Sequence, residues 1–239
     1  TLNIPSSEYN ITPDSLLILK SYEKWGEKCA RHLLGDWSFA IWDKQNQRLF
    51  LARDHHGNTG IYYHFSKDLF AFASSMKGLL AIPEIPKRLD ELQIAAILTS
   101  WPKHGPETVY KDIKRLPPAH YAVITPNKIT LHRYWYLEDT PPLHLNSDEE
   151  YVDAFLDIYS EAVRCRLRSL KPVGVTLSGG LDSGSVAVLA ARELKKSSQK
   201  LRAFSSVPIY DTTRLVPSGK FGDESPYINK TAQYAGNID

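Results

Sequence analysis

Val173-Gly174-Val175-Thr176-Leu177-Ser178-Gly179-Gly180-Leu181-Asp182-Ser183 is the stretch whose reading decides the fold. Residues 173–177 form a short, branched, mostly apolar run suited to a strand buried on both faces, and Ser-Gly-Gly cannot extend it. Val186, Leu189 and Leu194 then recur at helical spacing, and residues 201–207 supply a second apolar run. Strand, tight turn, helix and strand make a βαβ unit, the opening of a doubly wound parallel sheet. Ligands of such sheets bind beyond the carboxyl ends of the strands, and a turn leading straight into a helix amino terminus suits an anion. Gly179 and Gly180 let backbone N–H groups come close to phosphate oxygens, while the Ser178 and Ser183 hydroxyls can donate further hydrogen bonds. Asp182 has a different task, because a carboxylate beside a polyphosphate makes sense when Mg2+ lies between them. A plain strand-to-helix turn with Asp182 and Ser183 as caps is the competing reading. The agreement of strand, loop, helix and second strand favours the anion site. The lysine-bearing loop G-x-x-x-x-G-K-[ST] is absent, which argues against an ordinary P-loop NTPase.

Working upstream, Ser147 followed by Glu150 reads as a capping box, and Val152, Phe155, Leu156, Tyr159, Val163, Leu167 and Leu170 continue a stripe with a period near 3.6. Residues 138–146, with Pro141-Pro142, form the linker. Before it the style of the sequence is strand-rich. Residues 37–43 and 48–53 read as a hairpin across the polar residues 44–47, and further strands are expected at 61–64, 69–73, 121–125 and 129–133. Thr12-Pro13-Asp14-Ser15 reads as a helix entry, followed by Leu16, Leu19, Tyr22 and Trp25, with Gly26 as the stop. The Trp and Tyr residues of this half suit a core and sheet faces. The expected division is thus 1–137, linker 138–146, and 147–239.

Composition narrows the partners. The 239 residues carry 29 basic and 27 acidic side chains, a formal charge of +2 without a basic block, so nucleic acid is not indicated. No apolar run approaches bilayer length, so a membrane is not indicated either. Cys29 and Cys165 are far apart, with no C-x-x-C spacing and no His around them, which fits a reducing cytoplasm and neither zinc nor disulfides. Thr1 in place of Met, and an ending at Ile238-Asp239, suggest an internal piece of a longer chain.

The loop and its setting resemble the PP-loop of ATP pyrophosphatases, specifically the glutamine-hydrolysing asparagine synthetase family. The resemblance extends upstream through residues 33–43, Ala52-Arg53-Asp54-His55-His56-Gly57, Tyr62-Tyr63, Phe72-Ala73-Ser74 and Leu116-Pro117-Pro118. These are similar to the later part of that family's glutaminase domain. The resemblance therefore implies an incomplete α+β glutaminase domain of the amino-terminal-nucleophile type, followed by the start of an α/β PP-loop domain. Phe204-Ser205-Ser206 resembles the strand contacting adenine, and Asp223-Glu224-Ser225 a downstream helix start. It implies that Leu177 and Ser206 meet ATP through their backbones and that Ser178, Gly179, Gly180, Leu181, Asp182 and Ser183 grip pyrophosphate. Asp182 would be the catalytic acid, holding Mg2+. The implied reaction adenylates a carboxylate, aspartate in the family's commonest form, and passes it ammonia from glutamine.

The glutaminase half shows gaps. The family's nucleophile is an amino-terminal cysteine, and Thr1 does not replace it, because residues 1–5 do not resemble the strand start that carries it. Cys29 reads as a buried or incidental thiol. Asp14 aligns with the acid that holds the amino group of glutamine, but its neighbours Pro13, Ser15 and Leu16 depart from the pattern, so stabilisation of the helix terminus remains an equal reading. Arg53-Asp54 reads as an architectural pair. Gly60 stands where proline is usual before the paired aromatic residues, a change expected to affect only loop stiffness. The loop cannot separate amidation of aspartate from closure of a β-lactam or peptide ring by an intramolecular amine, whereas intact residues 178–183 argue against a third outcome, a nucleotide-binding scaffold without turnover. The resemblance allows a homodimer and places substrate-selecting residues beyond Asp239.

Overall fold

The computed structural model describes residues 2, 4–5, 7, 11–101, 105–212, 215–217 and 222–239. Thr1, rejected above as a nucleophile, lies outside them, as do parts of the polar segment 211–222. The chain divides into two compact units, Thr1–Pro142 and Leu143–Asp239.

In the first unit, helix α1 spans Asp14–Trp25, and Gly26, at φ 56°, turns the chain into a 3-10 segment, Gly26–His32. Strands β1 (Ser38–Asp43) and β2 (Arg48–Arg53) form the expected hairpin, with Asp43 opposite Arg48. Asp43 closes it by accepting from the Asn46 side chain, the Asn46 amide, Tyr22 and Arg48, and these donors hold its carboxyl well below the usual range. Strands β3 (Tyr62–Phe65) and β4 (Phe70–Ala73) pair antiparallel, and β5 (Lys114–Arg115) extends their sheet in the order β4-β3-β5. Strands β6 (His120–Thr125) and β7 (Lys128–Arg133) complete a four-stranded antiparallel sheet, β1-β2-β6-β7.

Strand β2 is apolar without alternation because both its faces are covered. Phe50 and Ala52 pack with Cys29, Tyr22 and Trp25 on one side, while Leu51 joins Ile61, Leu116 and Phe65 on the other. Fully burying a side chain such as Phe50 or Leu51 contributes about 2 kcal/mol. Two short helices, α2 (Met76–Leu80) and α3 (Glu91–Leu98), were not anticipated from sequence. The signal for α3 is Asp90, whose carboxylate accepts from the Leu92 and Gln93 amides.

The expectation for Gly60 needs correction. A Cβ there would lie 2.7 Å from the Ser74 carbonyl oxygen, so the residue admits a close backbone approach at the end of the β3-β4 pair rather than merely softening a loop.

The second unit begins with α4, Asp148–Arg166. Ser147 Oγ accepts from the Glu150 amide at 3.3 Å, but Glu150 Oε2 accepts from the Asn146 amide at 2.8 Å, one residue earlier than a strict capping box requires. Ser147→Ala should therefore cost about 1 kcal/mol, read as an earlier urea midpoint for helical signal; an unchanged midpoint would dismiss the cap. The stripe on α4 is less buried than its period implies. Val163 is buried, and Tyr159 and Leu167 pack beside it, yet Val152 and Phe155 stay 55% and 63% exposed. The reason is width. Strands β8 (Gly174–Thr176) and β9 (Arg202–Phe204) pair in parallel, joined by α5 (Leu181–Lys195), and a sheet of so few strands cannot cover a five-turn helix. After α6 (Ser225–Ala235), Ile238 bridges in parallel to Leu201, and the Ala203 amide donates to Asp239 O at 2.7 Å. The parallel βαβ opening expected of such a sheet is thus present, with Leu177, Ala187, Ala191 and Leu201 at its centre.

Candidate functional site

Leu177 ends the first parallel strand with its side chain 1% exposed in the core, so the loop beyond it starts from a fixed point. Its amide donates to Phe204 O at 2.9 Å, and its carbonyl accepts from Ser205 Oγ at 2.8 Å. That second bond brings residues 205–206 beside the loop, as both follow the carboxyl ends of adjacent strands. Ser206 is exposed there. Leu177 has therefore a packing role that its expected backbone contact to nucleotide leaves out.

The loop is tied internally. Ser178 Oγ and Ser183 Oγ lie 2.7 Å apart, the Ser178 amide donates to Ser183 Oγ at 3.1 Å, and the Gly180 amide donates to Ser178 Oγ at 3.2 Å. The Gly179 amide donates to Glu224 Oε2 at 2.9 Å. The amides expected to face phosphate at Gly179 and Gly180 are thus engaged within the protein. What the site offers an anion is the next turn. Helix α5 begins at Leu181 with Gly180 at its N-cap and no side chain capping it, so its first amides have no intrahelical acceptor. Leu181 and Asp182 are exposed, and no hydrogen bond or ion pair engages the Asp182 carboxylate among the described residues. Ser185 Oγ donates to the Asp182 carbonyl at 2.9 Å and shares a 2.7 Å hydrogen bond with Tyr159 OH, so α4 also steadies the turn.

Among the described residues, no group of three His, Cys, Asp or Glu side chains is placed to hold a metal ion. Asp182 would accordingly hold a cation only together with ligands brought by a substrate. The sequence reading has Tyr159 in the α4 stripe and Glu224 at a helix start, and misses both as partners of this turn. The only signal for Glu224 was its place just ahead of Ser225-Pro226 at a helix start.

In the first unit, Asp14 opens α1 as an exposed acid in the first turn, after the N-cap Pro13. A cavity of about 380 Å3 in this unit is lined by residues including Tyr62, Gln93, Trp101, Glu107 and Arg115, and Asp14 is not among them. Arg53 and Asp54 form a hub. Arg53 donates to the carbonyls of Thr59, Leu116 and Gly57 at 2.6, 2.7 and 2.5 Å, whereas Asp54 accepts from the amides of His56, Asn58 and Thr59. Cys29 is fully buried, and desolvation pushes its thiol up to about 11. At pH 8 that leaves roughly one thiolate in a thousand, so iodoacetamide should label the exposed Cys165 and reach Cys29 only after unfolding, as peptide mass mapping would show. Native labelling of Cys29 would contradict this burial.

Comparison with known proteins agrees with both halves. Residues 2–135 match the family model for the glutamine amidotransferase domain, and residues 154–238 match that for asparagine synthase. The chain is 31% identical over 232 residues to asparagine synthetase [glutamine-hydrolyzing] 3 of Bacillus subtilis, covering 96% of this chain and 38% of that protein. It is also 31% identical to putative asparagine synthetase [glutamine-hydrolyzing] 2 of Methanocaldococcus jannaschii, over 92% of this chain and 41% of that protein. Amidase chyE of Penicillium rubens is 31% identical over 94% of this chain and 34% of its own length. The chain thus spans well under half the length of these relatives. It belongs to the glutamine-hydrolysing asparagine synthetase family, as a glutamine amidotransferase domain followed in line by part of the asparagine synthase domain.

Proposed function

We propose that this chain supplies the pyrophosphate-binding part of an ATP-dependent ligase that adenylates a carboxylate and passes it to an amine. The observation that carries the reading is the uncapped first turn of α5 at the carboxyl end of a parallel strand, with Asp182 exposed in it. Residues 178–183 would hold the departing pyrophosphate, with Leu177 and Ser206 flanking the nucleotide at the ends of neighbouring strands. Asp182 would hold Mg2+ jointly with the polyphosphate oxygens. A site with one protein carboxylate and an open helix end suits that cation, which keeps most of its other ligands as water and phosphate. When bound, the cation offsets the charge of the leaving group.

The chemistry follows from the substrate. A carboxylate is a poor electrophile because its charge is delocalised. Attack of its oxygen on the α-phosphorus of ATP, with cleavage of the bond to pyrophosphate, gives an acyl-adenylate whose carbonyl an amine can attack, expelling AMP. Glutamine as ammonia source and aspartate as the acid follow from the synthetase-named relatives, with Asp14 as the contact to the amino group of glutamine. On this reading residues 1–137 serve glutamine hydrolysis and 147–239 the ligation. The amidase-named relative favours a second reading, in which the same adenylate meets a different amine. Exchange of labelled pyrophosphate into ATP, run with aspartate and other acids on the full-length protein, tests both. Exchange with aspartate supports the first, exchange with another acid alone supports the second, and none with any acid removes the ligase.

A further inference from the structure

Three backbone amides precede α5 in the loop, and their acceptors differ in kind. Those of Ser178 and Gly180 go to serine hydroxyls inside the loop, but that of Gly179 goes to Glu224 Oε2, a carboxylate 45 residues downstream, at 2.9 Å. Glu224 sits at the N-cap of α6, and its own side chain caps nothing there. The start of α6 is secured instead by Asp223, which accepts from the Ser225 amide at 2.9 Å and from Ser225 Oγ at 2.6 Å. Glu224 is thereby left to serve the loop.

The approach between loop and helix is close. A Cβ on Gly179 would stand 3.1 Å from Glu224 Cβ and 3.2 Å from Tyr227 Cβ, so glycine here makes room for α6 rather than for a phosphate. A pair of glycines would otherwise leave the loop free to adopt many peptide orientations, because neither has a Cβ to restrict it.

We infer that Glu224 is a positioning residue of the pyrophosphate loop. Its carboxylate fixes the Gly179 peptide and withdraws that amide from the anion-binding set, leaving the first-turn amides of α5 at Leu181, Asp182 and Ser183 for phosphate oxygens. The inference rests on the nucleotide reading above and assigns duties within it: Glu224 orients, and the α5 turn binds. A negative charge so near a polyphosphate is tolerable only because it is spent on the amide and because Mg2+ and the helix end offset the phosphate charge.

Glu224→Ala and Glu224→Gln in the whole chain test it, with two measurements on each: hydrogen exchange at the Gly179 amide, and affinity for Mg-pyrophosphate by calorimetry. In Glu224→Ala the Gly179 amide should exchange at least ~10-fold faster and pyrophosphate affinity should fall ~10-fold, at an unchanged melting temperature. Glu224→Gln keeps an oxygen that can accept the same bond and should stay within about 3-fold of the parent on both. Equal or tighter pyrophosphate binding by Glu224→Ala, with Gly179 deprotected, would make the carboxylate a competitor or a bystander and overturn the inference. Equal losses in both variants would do the same, by showing that charge and not placement matters. A parent chain that takes no pyrophosphate while Gly179 stays protected would defeat the nucleotide reading itself, leaving the bond a mere tether.

Discussion

Asp182→Asn should lower pyrophosphate exchange into ATP by about 100-fold or more in the full-length protein, with the melting temperature nearly unchanged. The expectation comes from where the carboxylate sits. Asp182 lies exposed in the first turn of α5, and among the described residues its side chain has no partner, so asparagine can take its place without leaving any of them unsatisfied. The folding cost is limited to one favourable charge at the positive end of a helix, about 0.5 kcal/mol. On the proposed reading, loss of the negative charge removes the carboxylate that would share Mg2+ with the polyphosphate, and the departing pyrophosphate would then develop its charge without that cation held in place. Full exchange activity in Asp182→Asn would show that the metal is held elsewhere.

The largest stability effect belongs to the other unit. Asp54→Ala should destabilise residues 1–142 by about 3–5 kcal/mol, a large part of a domain's total. Asp54 is 1% exposed and accepts four hydrogen bonds, from the amides of His56, Asn58 and Thr59 and from Thr59 Oγ1. Removing it leaves those part-buried donors without their acceptor, beside Arg53, which has its own three carbonyl acceptors and does not need Asp54 for them. Chemical denaturation followed by tryptophan fluorescence would measure the loss, and a change below about 1 kcal/mol would mean that water takes over these donors.

The same group sets a pH dependence. Burial raises the Asp54 carboxyl, but the donors from Thr59, Asn58 and Gly57 outweigh it and leave the group below its ordinary value. A carboxyl depressed in the folded state contributes stability that is complete above its unfolded value, near pH 4, and is lost as pH falls through the folded one. Asp54→Ala should therefore flatten the loss of stability below about pH 4 as well as lower the plateau above it. A parallel acid limb in parent and variant would exclude Asp54 as its source.

The strand-loop-helix-strand run was legible because each element there rests on local rules. A five-residue apolar strand, two glycines and a helical repeat specify the βαβ unit without reference to any distant residue, and the hairpin at 38–53 is likewise read from apolar runs flanking a polar turn. The short elements were not legible. Helix α2 and strand β5 have too few residues to show a period, and they exist because the β3-β4 sheet and Ile113 give them something to pack against. The α4 stripe shows the opposite failure. Its period announces a buried face, but how much of that face is buried depends on the width of the sheet beneath it.

Sequence alone determined the strand-loop-helix setting of residues 173–183 and which family the two halves resemble, because glycine spacing, strand ends and helix starts are properties of neighbouring residues. Only the tertiary structure decided which loop amides are already engaged within the protein. Glu224 is 45 residues from Gly179 along the chain and 2.9 Å away in space, and the packing of α6 on the loop is what turns a helix-start acid into a partner of the loop that follows β8. Hydrogen bonds are satisfied by whatever the fold brings within reach, so their partners follow from packing and cannot be read from chain order.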